Sequence, residues 1–252
     1  MSSFTTYVVT VKTFEDRHQF IRSQALANDL DIEFVCDYDV SDLISADLRR
    51  FAPHSLPLPS ISCVLKHLEA QRRLVVSDSD YCLVLEDDAI FSSDFVSRLR
   101  LVIDMVGNLS GPWLVFLGGT DNKLDARFFE SDNLQLIEAP LTTAEAYLIN
   151  KQGCELRLEY LSDRSISLPA DHLLAEIDRN IGISQYRVSH PFVGQGSISG
   201  KFGTSLDSSR GKKPLWFLKI RYLWNRFRNQ MFARWIARSG SVLRLVINQY
   251  LR

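Results

Sequence analysis

No stretch of about 18 apolar residues occurs anywhere in the chain, so no membrane-spanning helix is expected. No apolar segment follows the N-terminus, so no secretory signal is expected either. Cysteine is scarce: Cys36, Cys63, Cys82 and Cys154 are the only four, and none forms a CxxC metal knuckle. Cys36 and Cys82 sit in apolar, strand-like runs and read as small core residues. These absences make a reducing cytoplasm the simplest compartment. Only five histidines are present, few for a phosphohydrolase that spreads His and Asp ligands over several strand ends. No glycine-rich, lysine-bearing phosphate loop follows the first strand-like run, which argues against a nucleotidyltransferase. No internal repeat and no long polar tract is evident.

What is present is a 252-residue chain, 46% hydrophobic and 23% charged, long enough for one sizeable core. The net charge of −1 conceals a split. Of the 29 Lys and Arg, 11 lie between Arg210 and Arg252, a stretch with no Asp or Glu; the remaining 18 face all 30 acids, a net −12. The expected boundary is near Ser209, with an α/β body over 1–209 and a basic, aromatic helical tail over 210–252.

Within the body, strand-like Tyr7–Val11, helical Asp16–Leu30 and strand-like Ile32–Cys36 form a βαβ unit, which predicts a parallel sheet. The segment from Ser41 to Pro59 carries three prolines and reads as a loop with a short helix. Ser60 to Val76 reads as a helix with Ser60 as N-cap. Tyr81–Leu85 is apolar throughout, as a central parallel strand should be. A helix after Ser93, a strand at Trp113–Leu117, strands near Leu134–Ile137 and Ala146–Ile149, a helix from Lys151 to Leu161, a helix from Pro169 through Ile177 and a strand at Tyr186–Val188 complete the body. Pro191 to Ser209 is rich in Gly and Ser and is expected to be a mobile loop.

The third strand ends abruptly in Glu86-Asp87-Asp88. Ligands bind beyond the carboxyl ends of parallel strands. Three adjacent acids there repel one another unless a cation is present, and hard oxygen ligands suit Mg²⁺ or Mn²⁺, which can also hold a diphosphate. The plainer reading is a solvated helix start, where acids are common.

The run Tyr81-Cys82-Leu83-Val84-Leu85-Glu86-Asp87-Asp88 resembles the "lilEDD" element of glycosyltransferase family 25, the lipooligosaccharide biosynthesis transferases. Other pieces follow in order. Val8-Val9-Thr10-Val11 with Asp16-Arg17 is similar to the family's opening "vinL…dR", and Cys63 with His67 keeps the spacing of "GCxxSH". Thr143 to Asn150 with Lys151-Gln152-Gly153 is similar to "t.aYlisk.gA", and Pro169-Ala170-Asp171 to "PvD". Ser62 and Lys66 depart from the Gly and Ser of GCxxSH. The resemblance covers about residues 4–209.

The resemblance implies a GT-A-like single α/β domain, with a mainly parallel central sheet flanked by helices. It implies an inverting transfer of a sugar, galactose first, from a UDP-sugar with Mn²⁺ or Mg²⁺. Asp88 is the first expected metal ligand, with Glu86 or Asp87 helping through water or ribose contact. Asp171 is the candidate base, against the plainer reading of a helix-dipole acid. Thr10, Arg17, His67, Glu86, Asp87 and Gln195 are placed with donor binding, and His190 is a further candidate metal ligand. Cys63 and His67 lie four apart on one helix face. Two ligands are too few for a metal site, so Cys63 reads as packing and His67 as a donor-side hydrogen-bonding group. Glu145 and Tyr147 are placed toward the acceptor. Gly194-Gln195-Gly196-Ser197 is expected to close over the donor.

In the tail, Trp216, Phe217, Ile220, Leu223, Trp224, Phe227 and Met231 fall within about 120° of a helix, flanked by Lys and Arg. An anionic membrane surface, the body and nucleic acid are the possible partners. The acidic body disfavours nucleic acid. Membrane docking at the inner face of a bacterial inner membrane is the reading taken, because a lipid-linked glycan acceptor would need it. The rival functions are a non-catalytic nucleotide-sugar-binding protein and a metal-dependent phosphohydrolase.

Overall fold

In the computed structural model the described residues are 4–119, 122–124, 128, 131–199, 201–202, 215–232 and 234. The first strand, β1 (Phe4–Val9), feeds α1 (Glu15–Ala27) and then β2 (Glu33–Val35), which pairs parallel to β1. This is the expected βαβ unit. The proline-bearing segment holds a 3₁₀ turn (Val40–Asp42) and the short α2 (Ser45–Leu48). The long α3 (Leu58–Val76) begins two residues before the expected Ser60 cap. Pro57 takes the cap position and Pro59 lies in the first turn, where a missing N–H costs nothing. Ser60 therefore sits inside the helix.

β3 (Tyr81–Glu86) pairs parallel with β1, and its two faces feed two cores. Tyr81, Leu83 and Leu85 pack with α4 (Phe95–Val106) and residues of β5 (Trp113–Phe116). Cys82 and Val84 pack with α3 residues Ala70 and Leu74 on the other side. Burial on both faces is why this strand is apolar at every position before Glu86. Cys36, by contrast, lies just past β2 and is only half-buried, a correction to its expected place in the core.

The remaining strands are β4 (Ala89–Phe91), β6 (Leu136–Glu138), β7 (Ala146–Asn150), β8 (Ser184–Val188) and β9 (Val193–Gln195). The main sheet runs β2-β1-β3-β7-β5-β8-β6. Five strands run one way; β7 and β6 run the other. The sheet is thus mostly parallel, but β3 has a parallel neighbour on one side only. α5 (Lys151–Tyr160) and α6 (Ala170–Ile181) pack with α3 around a third apolar cluster that includes Leu65, Leu68, Leu161 and Leu173. Gly182, with φ of 74°, ends α6 in the left-handed conformation that glycine tolerates.

Residues 191–199 are not the expected glycine-rich loop. β9 pairs antiparallel with β4, and α7 (Gly196–Ser199) follows directly. The pairing Ala89↔Gln195 folds this segment back over the acidic turn. The expected boundary at Ser209 lies outside the described residues. In the tail, α8 (Leu215–Arg226) continues into a π-helical turn (Phe227–Phe232). Gln230 Nε2 donates to the carbonyls of Gly119 and Asn122, at 3.0 and 3.3 Å, which ties the tail to the body. The apolar arc faces away: Trp216 is 65% and Trp224 60% exposed, and Phe217, Ile220, Leu223 and Phe227 are exposed as well. No described helix is long and apolar enough to cross a membrane.

Candidate functional site

The C-terminal ends of β1 and β3 and the start of β7 meet at one end of the sheet's inner strands. Because β7 runs antiparallel, the residue before it, Glu145, arrives beside Glu86, whose N–H donates to the Glu145 carbonyl at 3.0 Å. The three acids of the turn then part company.

Asp87 turns toward β1. Thr10 Oγ1 donates to its Oδ2 at 2.7 Å, and the Arg17 guanidinium pairs with its Oδ1 at 2.7 Å. Its N–H donates to the Val9 carbonyl. Arg17 also stacks over Phe14, 4.9 Å from the ring centre. Asp87 is thus satisfied on both oxygens and fastens the first and third strand ends together.

Asp88 turns the other way and is buried. The Ser197 N–H donates to its Oδ2 at 2.8 Å, and the Gly196 N–H donates to its carbonyl at 2.8 Å. Its Oδ1 is buried without a partner among the described residues. Burial, then the charge of Glu86, pushes the Asp88 carboxyl up to about 7. A side chain at Gly196 would lie 2.8 Å from the Asp88 carbonyl oxygen and 2.7 Å from Phe202, so the close approach depends on glycine.

Glu145 repeats the pattern. Its Oε1 accepts from the Gly119 N–H at 2.5 Å, while Oε2 is buried and has no partner among the described residues. Burial, then Glu86, pushes its carboxyl up to about 8. Glu86 itself is partly exposed. Gln195 Nε2 donates to its Oε2 at 3.1 Å, and His67 Nε2 lies 3.7 Å from its Oε1. His67 is buried, with Nδ1 3.1 Å from the Tyr147 hydroxyl.

Glu86, Asp88, Glu145, Gln195 and Asp171 line one cavity of about 620 Å³. Asp171 lines it from the first turn of α6, where its Oδ1 accepts from the His172 N–H at 2.9 Å. An adjoining apolar cleft of about 300 Å³ runs between Val9, Thr10, Phe14, Val40, Pro59 and Cys63. Lys66 closes its floor. Its buried ammonium pairs with Asp39 and donates to the Thr10 carbonyl at 2.5 Å. The Lys12 N–H donates to the same Asp39 at 3.0 Å. Lys66, a departure from the family pattern in sequence, therefore ties the loops after β1 and β2 together.

Asp88 and Glu145 are two buried carboxyls with open oxygens near Glu86, and hard oxygens are the donors that Mg²⁺ or Mn²⁺ takes. The three carboxylates do not come within 4.8 Å of one another as one ligand set among the described residues. Without a cation, their mutual repulsion and desolvation favour the protonated forms. His190 does not join them. It lies in a separate pocket of about 190 Å³, with Ser189 Oγ 2.8 Å from its Nδ1 and the Arg234 side chain against Nε2. Burial, then Arg234 and Arg98, lowers its pKa to about 4. Glu145 stands among the acids of the turn and lines the same cavity as Asp171. The sequence signal for this was slight: an acid directly before an apolar strand.

Fold and site together define an α/β protein with a carboxylate-lined cavity at its strand ends. The family model of glycosyltransferase family 25 (LPS biosynthesis protein) matches residues 4–115, the segment that carries the acidic turn. The family resemblance is borne out over that segment, and the match supports glycosyltransferase activity. Comparison with curated proteins finds no match. Among solved structures, the inositol-1-phosphate CTP transferase from T. maritima is similar at 9% identity and a TM-score of 0.36, over 86% of this chain and 76% of that one. S. aureus TarS 1-349 is similar at 10% identity and a TM-score of 0.40, over 94% and 75%.

Proposed function

We propose that the protein is a divalent-metal-dependent, inverting glycosyltransferase of GT-A type. It moves a sugar, galactose first among candidates, from a UDP-sugar to a hydroxyl of a bacterial lipooligosaccharide or other surface glycan. The observation that carries this reading is the pair of buried acids, Asp88 and Glu145, whose unpartnered oxygens share one cavity with Glu86 and Asp171.

Asp88 and Glu86 are the residues that would hold the ion, with Glu145 beside them. A bound Mn²⁺ or Mg²⁺ supplies charge compensation for the departing diphosphate. Gln195 fixes the Glu86 carboxylate through Oε2. The Thr10–Asp87–Arg17 group shapes the entrance to the apolar cleft, which suits the nucleoside. Asp171 takes the proton of the acceptor hydroxyl as that oxygen bonds to the anomeric carbon and the bond to the diphosphate breaks. The folded-back β9 and α7 cover the cavity from the side of Asp88 and limit water there. The exposed apolar arc of α8, with its Lys and Arg flanks, supports docking on an anionic membrane surface where a lipid-linked acceptor resides.

The test is nucleotide release from a panel of sugar nucleotides, with and without Mn²⁺, using Asp88→Ala as control. Metal-dependent release from one donor, lost in the variant, is expected. No metal-dependent release, or full activity in Asp88→Ala, overturns the reading.

A further inference from the structure

Beside the acidic turn lies a group of side chains of which only Glu86 has a part in the reaction proposed above. Helix α3 presents Cys63 and His67 from one face, a turn apart. Opposite them is Glu86 at the end of β3. The Cys63 sulfur, one ring nitrogen of His67 and one Glu86 carboxylate oxygen all lie within 4.8 Å of one another. Their places in the sequence hid this, because Glu86 lies far from the other two along the chain.

As a hydrogen-bonded cluster the group is poor. His67 is 1% exposed, and its Nε2 is buried with no hydrogen-bond partner among the described residues. The 3.7 Å to Glu86 Oε1 is too long for a hydrogen bond. Leaving such a nitrogen unsatisfied in the interior is unfavourable. As a coordination set the same spacing is apt. Zn–N and Zn–O bonds of about 2.0–2.2 Å place two tetrahedral ligand atoms about 3.3–3.6 Å apart. The other ring nitrogen is already committed. Nδ1 lies 3.1 Å from the Tyr147 hydroxyl, and a proton donated there leaves the Nε2 lone pair directed at Glu86 and Cys63.

We propose that Cys63, His67 and Glu86 form a binding site for a thiophilic divalent cation of the zinc class, distinct from the hard-oxygen position at Asp88. The sulfur sets the selectivity, since thiolate favours zinc over magnesium or manganese. Three protein ligands leave a fourth position open to the two cavities that Cys63 and Glu86 both line. Desolvation, then the charge of Glu86, holds the Cys63 thiol well above its ordinary value. Binding forms a zinc–sulfur bond in place of the S–H bond, and the thiol proton goes to solvent. The site does not depend on the transfer reaction. It shares Glu86 with the reaction centre but not Asp88, so the two readings fail separately.

The experiment is Zn²⁺ titration of the full chain, without donor, against a chromogenic chelator, paired with Co²⁺ as a spectroscopic probe. One Zn²⁺ per chain is expected, along with a near-ultraviolet thiolate-to-cobalt band. Cys63→Ser should remove the band. Cys63→Ser and His67→Gln should each weaken binding by more than the roughly 10–100-fold expected for Tyr147→Phe, which removes only the outer partner. Asp88→Ala should keep stoichiometric binding. Should a substituted chain not fold, alkylation of Cys63 in the unsubstituted chain, read by mass spectrometry, should be blocked by Zn²⁺ and not by Mg²⁺. Absence of stoichiometric Zn²⁺ binding, a Co²⁺ spectrum without the thiolate band, or alkylation unaffected by Zn²⁺ overturns the proposal.

Discussion

At Asp88 one carboxylate oxygen is buried without a partner, whereas Asp87, one residue earlier, is closed off by Thr10 and Arg17. Neighbours in the turn point to opposite sides, so the acidic triplet does not act as one ligand set. The position of the triplet at the end of a buried strand was legible in the sequence. The division of labour was not, because it depends on Gly196 and Ser197 reaching back across more than a hundred residues. Lys66 and Asp39 were illegible for the same reason: a buried ion pair has no local periodicity. Asp171 is the residue whose role most needs separating from a structural one. If it takes the acceptor proton, Asp171→Asn lowers turnover by about 10²–10⁴-fold, with little change in donor KM. An Asn side chain still accepts the His172 N–H, so the helix start survives. Steady-state kinetics with acceptor would decide it, and near-normal turnover would leave Asp171 as a dipole-stabilising acid only.

Elements were read more surely than their neighbours. The strand-helix-strand start, the long α3 and the apolar β3 all follow from periodicity and from burial on two faces. The antiparallel insertion of β7 was not visible, because strand direction depends on the path of the chain between strands. Yet that reversal is what brings Glu145 to the site. Over 191–199 the glycines and serines resemble a loop in sequence, whereas the structure has β9 and α7 there. Here glycine is required by close backbone approach, and the ladder to β4 orders the strand. The tail helix offers the sharper test at this scale. Its aromatic arc is exposed, while Gln230, beyond its end, contacts the body. The chain should therefore float with anionic vesicles at low salt and less at high salt. Replacing Trp216, Trp224 and Phe227 together by Ala should abolish flotation while leaving Mn²⁺-dependent nucleotide release in place. Unchanged flotation of that triple variant would remove the membrane reading.

Across the whole molecule the strand-end acids couple stability to pH and to cations. Asp88 and Glu145 have folded pKa values raised to about 7 and about 8, from ordinary carboxylate values of 3.8 and 4.5. A raised carboxyl binds its proton more tightly in the folded chain than in the unfolded one. Its contribution is present below the unfolded pKa and is lost as pH rises through the folded pKa. The metal-free protein should therefore lose thermal stability between about pH 5 and about pH 8, a window in which surface carboxylates no longer titrate. The Asp88→Asn, Glu145→Gln double variant should flatten that slope, since neither amide titrates. A cation that favours both carboxylates reverses the sign of the effect. Mn²⁺ should raise the Tm of the unsubstituted chain, and by more near pH 8 than near pH 6, because proton release accompanies binding. The double variant should show neither the slope nor the Mn²⁺ response. Calorimetric scans of both chains over this range, with and without Mn²⁺, measure all of these together. A Tm that is flat with pH in the unsubstituted chain, or a Mn²⁺ response that survives both substitutions, would mean that the buried pair is satisfied in some other way.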